Sequence, residues 1–93
     1  MVPVKKNLRK EMNEKKFKRG DVIHNPNTSE TLIFRNDYAI PSPNLCGIND
    51  KGLGALRNTL QEYRLATEEE TKSFMTSLEE SGWKWEGAGL VKI

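Results

Sequence analysis

The sequence predicts an α+β fold: a small antiparallel sheet of short strands, one helix in the C-terminal half packed on it, and a terminal β-hairpin. Three observations carry that expectation. Runs of β-branched and aromatic residues between clusters of turn formers fill the stretch after Phe17. A capped segment of helical period covers residues 68–81, and two tryptophans in alternation follow it. At 93 residues the chain is the size of one small domain, and its 35% apolar content is enough for a modest core.

Residues 1–16 form a basic arm ahead of a single domain over 17–93. Val4, Leu8 and Met12 recur at spacing four, which places them on one side of a helix. So short a helix with three apolar residues is marginal in water, so the arm is expected to be flexible. From Phe17 the pattern changes. Gly20-Asp21 makes a turn, Val22-Ile23-His24 a strand, and Asn25 to Glu30 a hairpin loop, because proline presets its own dihedral and asparagine or serine bonds nearby backbone. Thr31 to Arg35 pairs back on the first strand. Asn36-Asp37 supplies a second turn and Tyr38-Ala39-Ile40 a third strand, which Pro41 and Pro43 stop for want of a backbone donor.

Asn44 to Gly54, with its glycines and asparagines, is expected as a long surface loop. Leu53, Leu56 and Leu60 fit helical spacing while Tyr63-Arg64-Leu65 fits a strand, so residues 53–62 suit either state. The helix that follows starts at Glu68. Thr67 and Glu70 make a capping box, and Glu68, Glu69 and Glu70 sit where the helix dipole is positive. Phe74 and Leu78, with Met75 at the edge, are its buried stripe. Gly82 ends it, leaving Trp83 to fold back on Leu78. Trp83-Lys84-Trp85 and Leu90-Val91-Lys92-Ile93 then form a hairpin with both tryptophans on one face, expected in the core.

Charge is unevenly placed. The net charge is only +2, yet residues 1–19 hold Lys5, Lys6, Arg9, Lys10, Lys15, Lys16, Lys18 and Arg19 against Glu11 and Glu14. A cationic arm therefore precedes an anionic body, and such an arm can attract nucleic acid or an acidic protein. A single cysteine, Cys46, forms no internal disulfide, which suits a reducing, cytoplasmic setting. No stretch approaches the roughly 20 apolar residues of a membrane span, and no signal-peptide pattern opens the chain.

Candidate chemistry is sparse. His24 is the one histidine and has no second imidazole to share a metal. Cys46 and His24 could form a thiolate pair only if the fold brought them together, and no nucleophile elbow flanks Cys46. Leu53 stands where a phosphate loop after Gly47 and Gly52 needs lysine. No catalytic, cofactor or metal set is expected, and the chain is read as a non-enzyme.

Phe17-Lys18-Arg19-Gly20-Asp21-Val22-Ile23 resembles the first strand of small SH3-like barrels, which implies a partial barrel. Tyr63 to Glu70 through Gly82-Trp83-Lys84-Trp85 resembles a helix-then-tryptophan element of short uncharacterised proteins of phages and integrated mobile elements of anaerobic gut bacteria. These resemblances cover about half the chain and imply fold and origin, with no activity to transfer. The expected function is a small binding or accessory module that engages a protein partner. The alternative is nucleic-acid binding, in which Lys5, Lys6, Arg9, Lys10, Lys15, Lys16, Lys18 and Arg19 neutralise phosphates.

Overall fold

The structure is a computed structural model and describes residues 17–35, 44–87 and 89–93. Its elements run β1 (Val22–Asn25), β2 (Glu30–Arg35), β3 (Leu45–Ile48), β4 (Gly54–Arg57), a single 3-10 turn (Leu60–Glu62), β5 (Arg64–Leu65), α1 (Glu68–Glu80), β6 (Trp83–Glu86) and β7 (Gly89–Lys92). Five strands make an antiparallel sheet in the order β4-β3-β2-β1-β5, and β6 and β7 pair as a separate hairpin. The α+β class with a C-terminal-half helix and a terminal hairpin is what the sequence predicts. The sheet stays open, and β4 and β5 are its two edges.

Register sorts the side chains onto two faces. Ile23 lies opposite Leu32, and Val22 opposite Ile33, so successive residues of β1 and β2 serve different cores. On the first face Ile23, Leu32 and Leu45 pack with Leu60 and Tyr63, flanked by Phe17, Phe34 and Ala55. On the second, Ile33 and Ile48 pack with Phe74 and Leu78 of α1, and Val22, Met75, Trp83, Trp85 and Leu90 close around them. The central sheet is thus buried on both faces, each covered by a chain segment that follows it in sequence.

Helix α1 begins as its capping box dictates. The Thr67 hydroxyl accepts from the Glu70 N–H at 3.1 Å, and the Glu70 carboxylate accepts from the Thr67 N–H at 2.9 Å. It ends where Gly82 takes φ +95°, a region that only glycine enters without strain. The hairpin then returns over the second core. Trp83 rests on Gly52 of the β3–β4 turn, and Trp85 on Gly20 ahead of β1, so β6 straps the sheet at both ends.

Two expectations change, and the segment that suited either state is resolved. Asn44 to Gly54 is not a loop throughout, because Leu45 and Ile48 are buried in opposite faces and β3 forms between them. Their alternation is diluted by the cysteine and glycine they flank. Leu53, Leu56 and Leu60 lie on no common helix. β4 takes the first part of the segment, and Leu60 alone turns inward from the 3-10 turn. The tryptophans are half-buried at the rim of the second core rather than inside it. The arm over 1–16, the Asn36-Asp37 turn and the Tyr38-Ala39-Ile40 strand lie outside the described residues.

The β1–β2 hairpin carries one strained residue. Asn25 C=O accepts from Ser29 N–H at 2.7 Å and its side-chain oxygen from Asn27 N–H at 2.9 Å, which forces Ser29 to φ +61°. Ser29→Gly relieves a penalty of about 1–2 kcal/mol against an unfolded-state loss of about 0.4–1 kcal/mol. A net gain near 0.5 kcal/mol is expected, read as a slightly raised melting temperature.

Candidate polar groove and its flanking networks

Two polar networks flank the turn end of β1 and β2, one on each face of the sheet. On the first face Asn25 is buried, and its amide donates to Glu62 Oε1 at 3.1 Å. Its neighbour across the strands, Glu30, holds the guanidinium of Arg57 in a fork. Nε donates to Oε1 at 2.9 Å and Nη2 to Oε2 at 2.7 Å. The Tyr63 hydroxyl also donates to Glu30 Oε1. The Arg57 hydrogen bonds hold the Glu30 carboxyl below its ordinary range, outweighing the cost of its partial burial. Burial first, and the Glu30 carboxylate second, push the Tyr63 hydroxyl up to about 12.

On the second face Glu70 is the hub. Besides capping α1 it takes both ends of the Arg64 guanidinium, at 2.9 and 3.0 Å. His24 Nε2 lies 3.6 Å from its Oε2, while His24 Nδ1 is 2.8 Å from Thr31 Oγ1. The Arg64 hydrogen bonds, then the Thr67 N–H, hold Glu70 down at about 2. These carboxylates stay charged at neutral pH, unlike a general acid poised near 7.

A depressed carboxyl stabilises the fold wherever the unfolded chain would bind the proton more readily. For Glu70 that contribution is complete above about 4.5 and disappears as pH falls toward about 2. Glu30 shifts in the same direction. Stability is therefore expected to hold from neutral pH to about 5 and to fall between about 4.5 and 2. Glu70→Gln should flatten part of that fall in urea titrations repeated across pH.

Between the second network and the β3–β4 turn opens a groove of about 660 Å³. Ser29 and Thr31 form one wall, Asp50 and Lys51 a second, and Glu69 and Ser73 of α1 the third. The turn is fixed by Asn49, whose Oδ1 accepts from the N–H groups of Lys51 and Leu53 at 2.9 and 3.0 Å. Ser81 Oγ donates to the Asp50 carbonyl at 3.2 Å, tying this wall to the end of α1. Two of the groove's walls, the β3–β4 turn and α1, are thus tied to one another.

Of the eight basic residues of the nucleic-acid reading, Lys5, Lys6, Arg9, Lys10, Lys15 and Lys16 lie outside the described residues. Lys18 and Arg19 are exposed. The Lys18 N–H donates to Asp21 at 2.8 Å, and the Arg19 guanidinium lies 5.6 Å from the centroid of a Trp85 ring, over its face. His24 and Cys46 do not meet. His24 pairs across with Thr31 and Cys46 with Arg35, at opposite ends of β2. Among the described residues no group of three histidine, cysteine or acidic side chains is arranged to hold a metal ion, and no helix is long and apolar enough to cross a membrane.

No protein-family model, curated protein or solved structure matches the chain. The sequence reading missed Glu30, Arg57, Tyr63 and Asn25, which are scattered over 39 positions and meet only once β1 to β4 pair in register and the 3-10 turn brings Tyr63 back to them. It found Glu70 as a cap, but not as the partner of Arg64 and the neighbour of His24.

Proposed function

We propose that the chain is a small non-enzymatic binding module that engages a protein partner through the groove between α1 and the two β-turns. The observation that carries this reading is the groove itself, lined mainly by hydroxyl, amide and charged groups with Phe74 at its base. Such a surface suits an extended polar segment that replaces water at several hydrogen-bonding positions at once. The Glu30 and Glu70 carboxyls support a binding role, since each is committed to an arginine and kept ionised. An origin in phages or mobile elements of gut anaerobes, an SH3-like ancestry of the sheet and a cytoplasmic setting belong to the same proposal.

Selection of random extended peptides on the full chain, followed by amide-shift mapping, tests it. Shifts at Thr31, Asp50, Lys51, Glu69 and Ser73 are expected, with loss of binding in Ser73→Arg while the rest of the spectrum is unchanged. Peptides that map to the other face of the sheet would remove the groove from consideration.

The second reading, nucleic-acid binding by the basic arm, draws on Arg19 stacked over Trp85 at the point where the arm reaches the body. It expects binding that weakens steeply with salt and disappears when residues 1–16 are removed. Equal weak retardation of an oligonucleotide by both forms would sink it.

A further inference from the structure

Both edges of the open sheet are closed by the same device. The hydrogen-bond pattern fixes which backbone groups face outward. Asn49 N–H donates to Leu53 C=O, so in the antiparallel alternation Ala55 and Arg57 bond inward to β3 while Gly54 and Leu56 turn outward. Ala66 N–H donates to Val22 C=O beyond the pairing of His24 with Arg64, which likewise turns Leu65 outward on β5. Arg57 Nη1 donates to the outward Leu56 carbonyl at 2.9 Å, and Arg64 Nη1 to the outward Leu65 carbonyl at 3.0 Å. Each arginine is held in that position by a forked glutamate from elsewhere in the fold, Glu30 for Arg57 and Glu70 for Arg64.

The β4 edge needs such a guard. It carries no proline and no lysine, and Leu53 just before it and Leu56 within it are 61% and 65% exposed. It is also complementary to itself. In a two-fold antiparallel pairing centred on Ala55, the outward Leu56 of one copy faces the outward Gly54 of the other, and both lie on the same face of the sheet. A side chain at Gly54 would meet nothing within 4 Å, so the space beside it is free for the second copy's Leu56. Leu53 comes opposite the arginine at 57 of the second copy. Pairing requires release of the Leu56 carbonyl from Arg57.

We infer that Arg57, clamped by Glu30, is a gate on a self-complementary β4 edge: in place it keeps the chain from adding to a second copy of itself, and displaced it admits that copy as a sixth strand. Gly54 and Leu56 supply the backbone bonds, and the large side chain of one copy beside the glycine of the other sets the register. Arg64 performs the same closure on β5, where two residues are too few to hold a partner strand.

Sedimentation of the full chain between 5 and 500 μM tests the gate, using about a hundredfold span in concentration to resolve association. The wild type is expected to stay monomeric, and Arg57→Met, which keeps the apolar stem, to dimerise at least tenfold more tightly. Arg57→Met with Leu56→Pro should return to monomer, because proline removes the outward donor and leaves the inward ladder intact. If Arg57→Met folds poorly, Glu30→Gln loosens the same clamp and is expected to shift association the same way. A monomeric Arg57→Met with a native amide spectrum overturns the inference. So does a wild type that already dimerises, or an Arg57→Met dimer indifferent to Leu56→Pro.

Discussion

Gly52→Ala is expected to destabilise the fold by about 3 kcal/mol, through a side chain that has no room and a backbone that tolerates none. Gly52 sits at φ +79°, where a Cβ carries a penalty of about 1–2 kcal/mol. That Cβ would also lie 2.6 to 2.9 Å from three atoms of the Trp83 indole. The ring cannot rotate away cheaply, because it closes the second core beside Leu78. Either β6 lifts or the Asn49 turn opens, and the overpacking adds roughly 1–3 kcal/mol. Gly82→Ala provides the subtraction. Its φ of +95° is as unfavourable, but nothing lies within 4 Å, so only the backbone share is expected. Chemical denaturation of both variants separates the two contributions. Equal losses would mean that Trp83 does not rest on Gly52 in solution.

Leu78→Ala should destabilise by about 3–4 kcal/mol, within the range for a fully buried leucine whose surroundings cannot collapse. Leu78 is 0% exposed and packs among Ile33, Ile48 and Phe74, with α1 on one side and the sheet on the other. The sheet cannot close onto the vacated volume without opening a gap against Ile23, Leu32 and Tyr63 on its opposite face. For a domain of this size the loss is a large fraction of the usual 5–15 kcal/mol, and a drop in melting temperature of roughly 15 °C is expected. Met75→Ala, half-buried at the edge of the same core, should lose far less. A loss at Leu78 below about 1 kcal/mol would show that the second core is loosely packed in solution.

The parts of the fold that were legible in the sequence are those whose signal is local. Thr67 and Glu70 announce the start of α1, Gly82 its end, and the spacing of Trp83 and Trp85 the strand that follows. Each depends on residues within one or two turns of each other. β3 and β4 escaped because their evidence is distributed. Leu45 and Ile48 read as isolated apolar residues in a glycine-rich stretch until β2 is laid beside them. The polar networks are harder still. Glu30 and Arg57 are 27 positions apart, and only the meander β1–β4 brings the guanidinium across the first face. Thr31 and Glu70, on the groove wall, owe their proximity to α1 docking on the sheet.

The weakest seam of the molecule follows from the shortness of β5. Its contacts with β1 join Ile23 to Leu65 and His24 to Arg64, about forty residues apart, with a further bond from Ala66 to Val22. Strands β1 to β4 can zip from one neighbour to the next at small entropic cost, but β5 must wait for a large loop to close before a few bonds reward it. That order makes the β5 edge the last part of the sheet to form and the first to fray. Transient opening there would detach Arg64 from its register and leave α1 anchored mainly by its apolar stripe, so exchange of buried amides should begin at this border and spread inward.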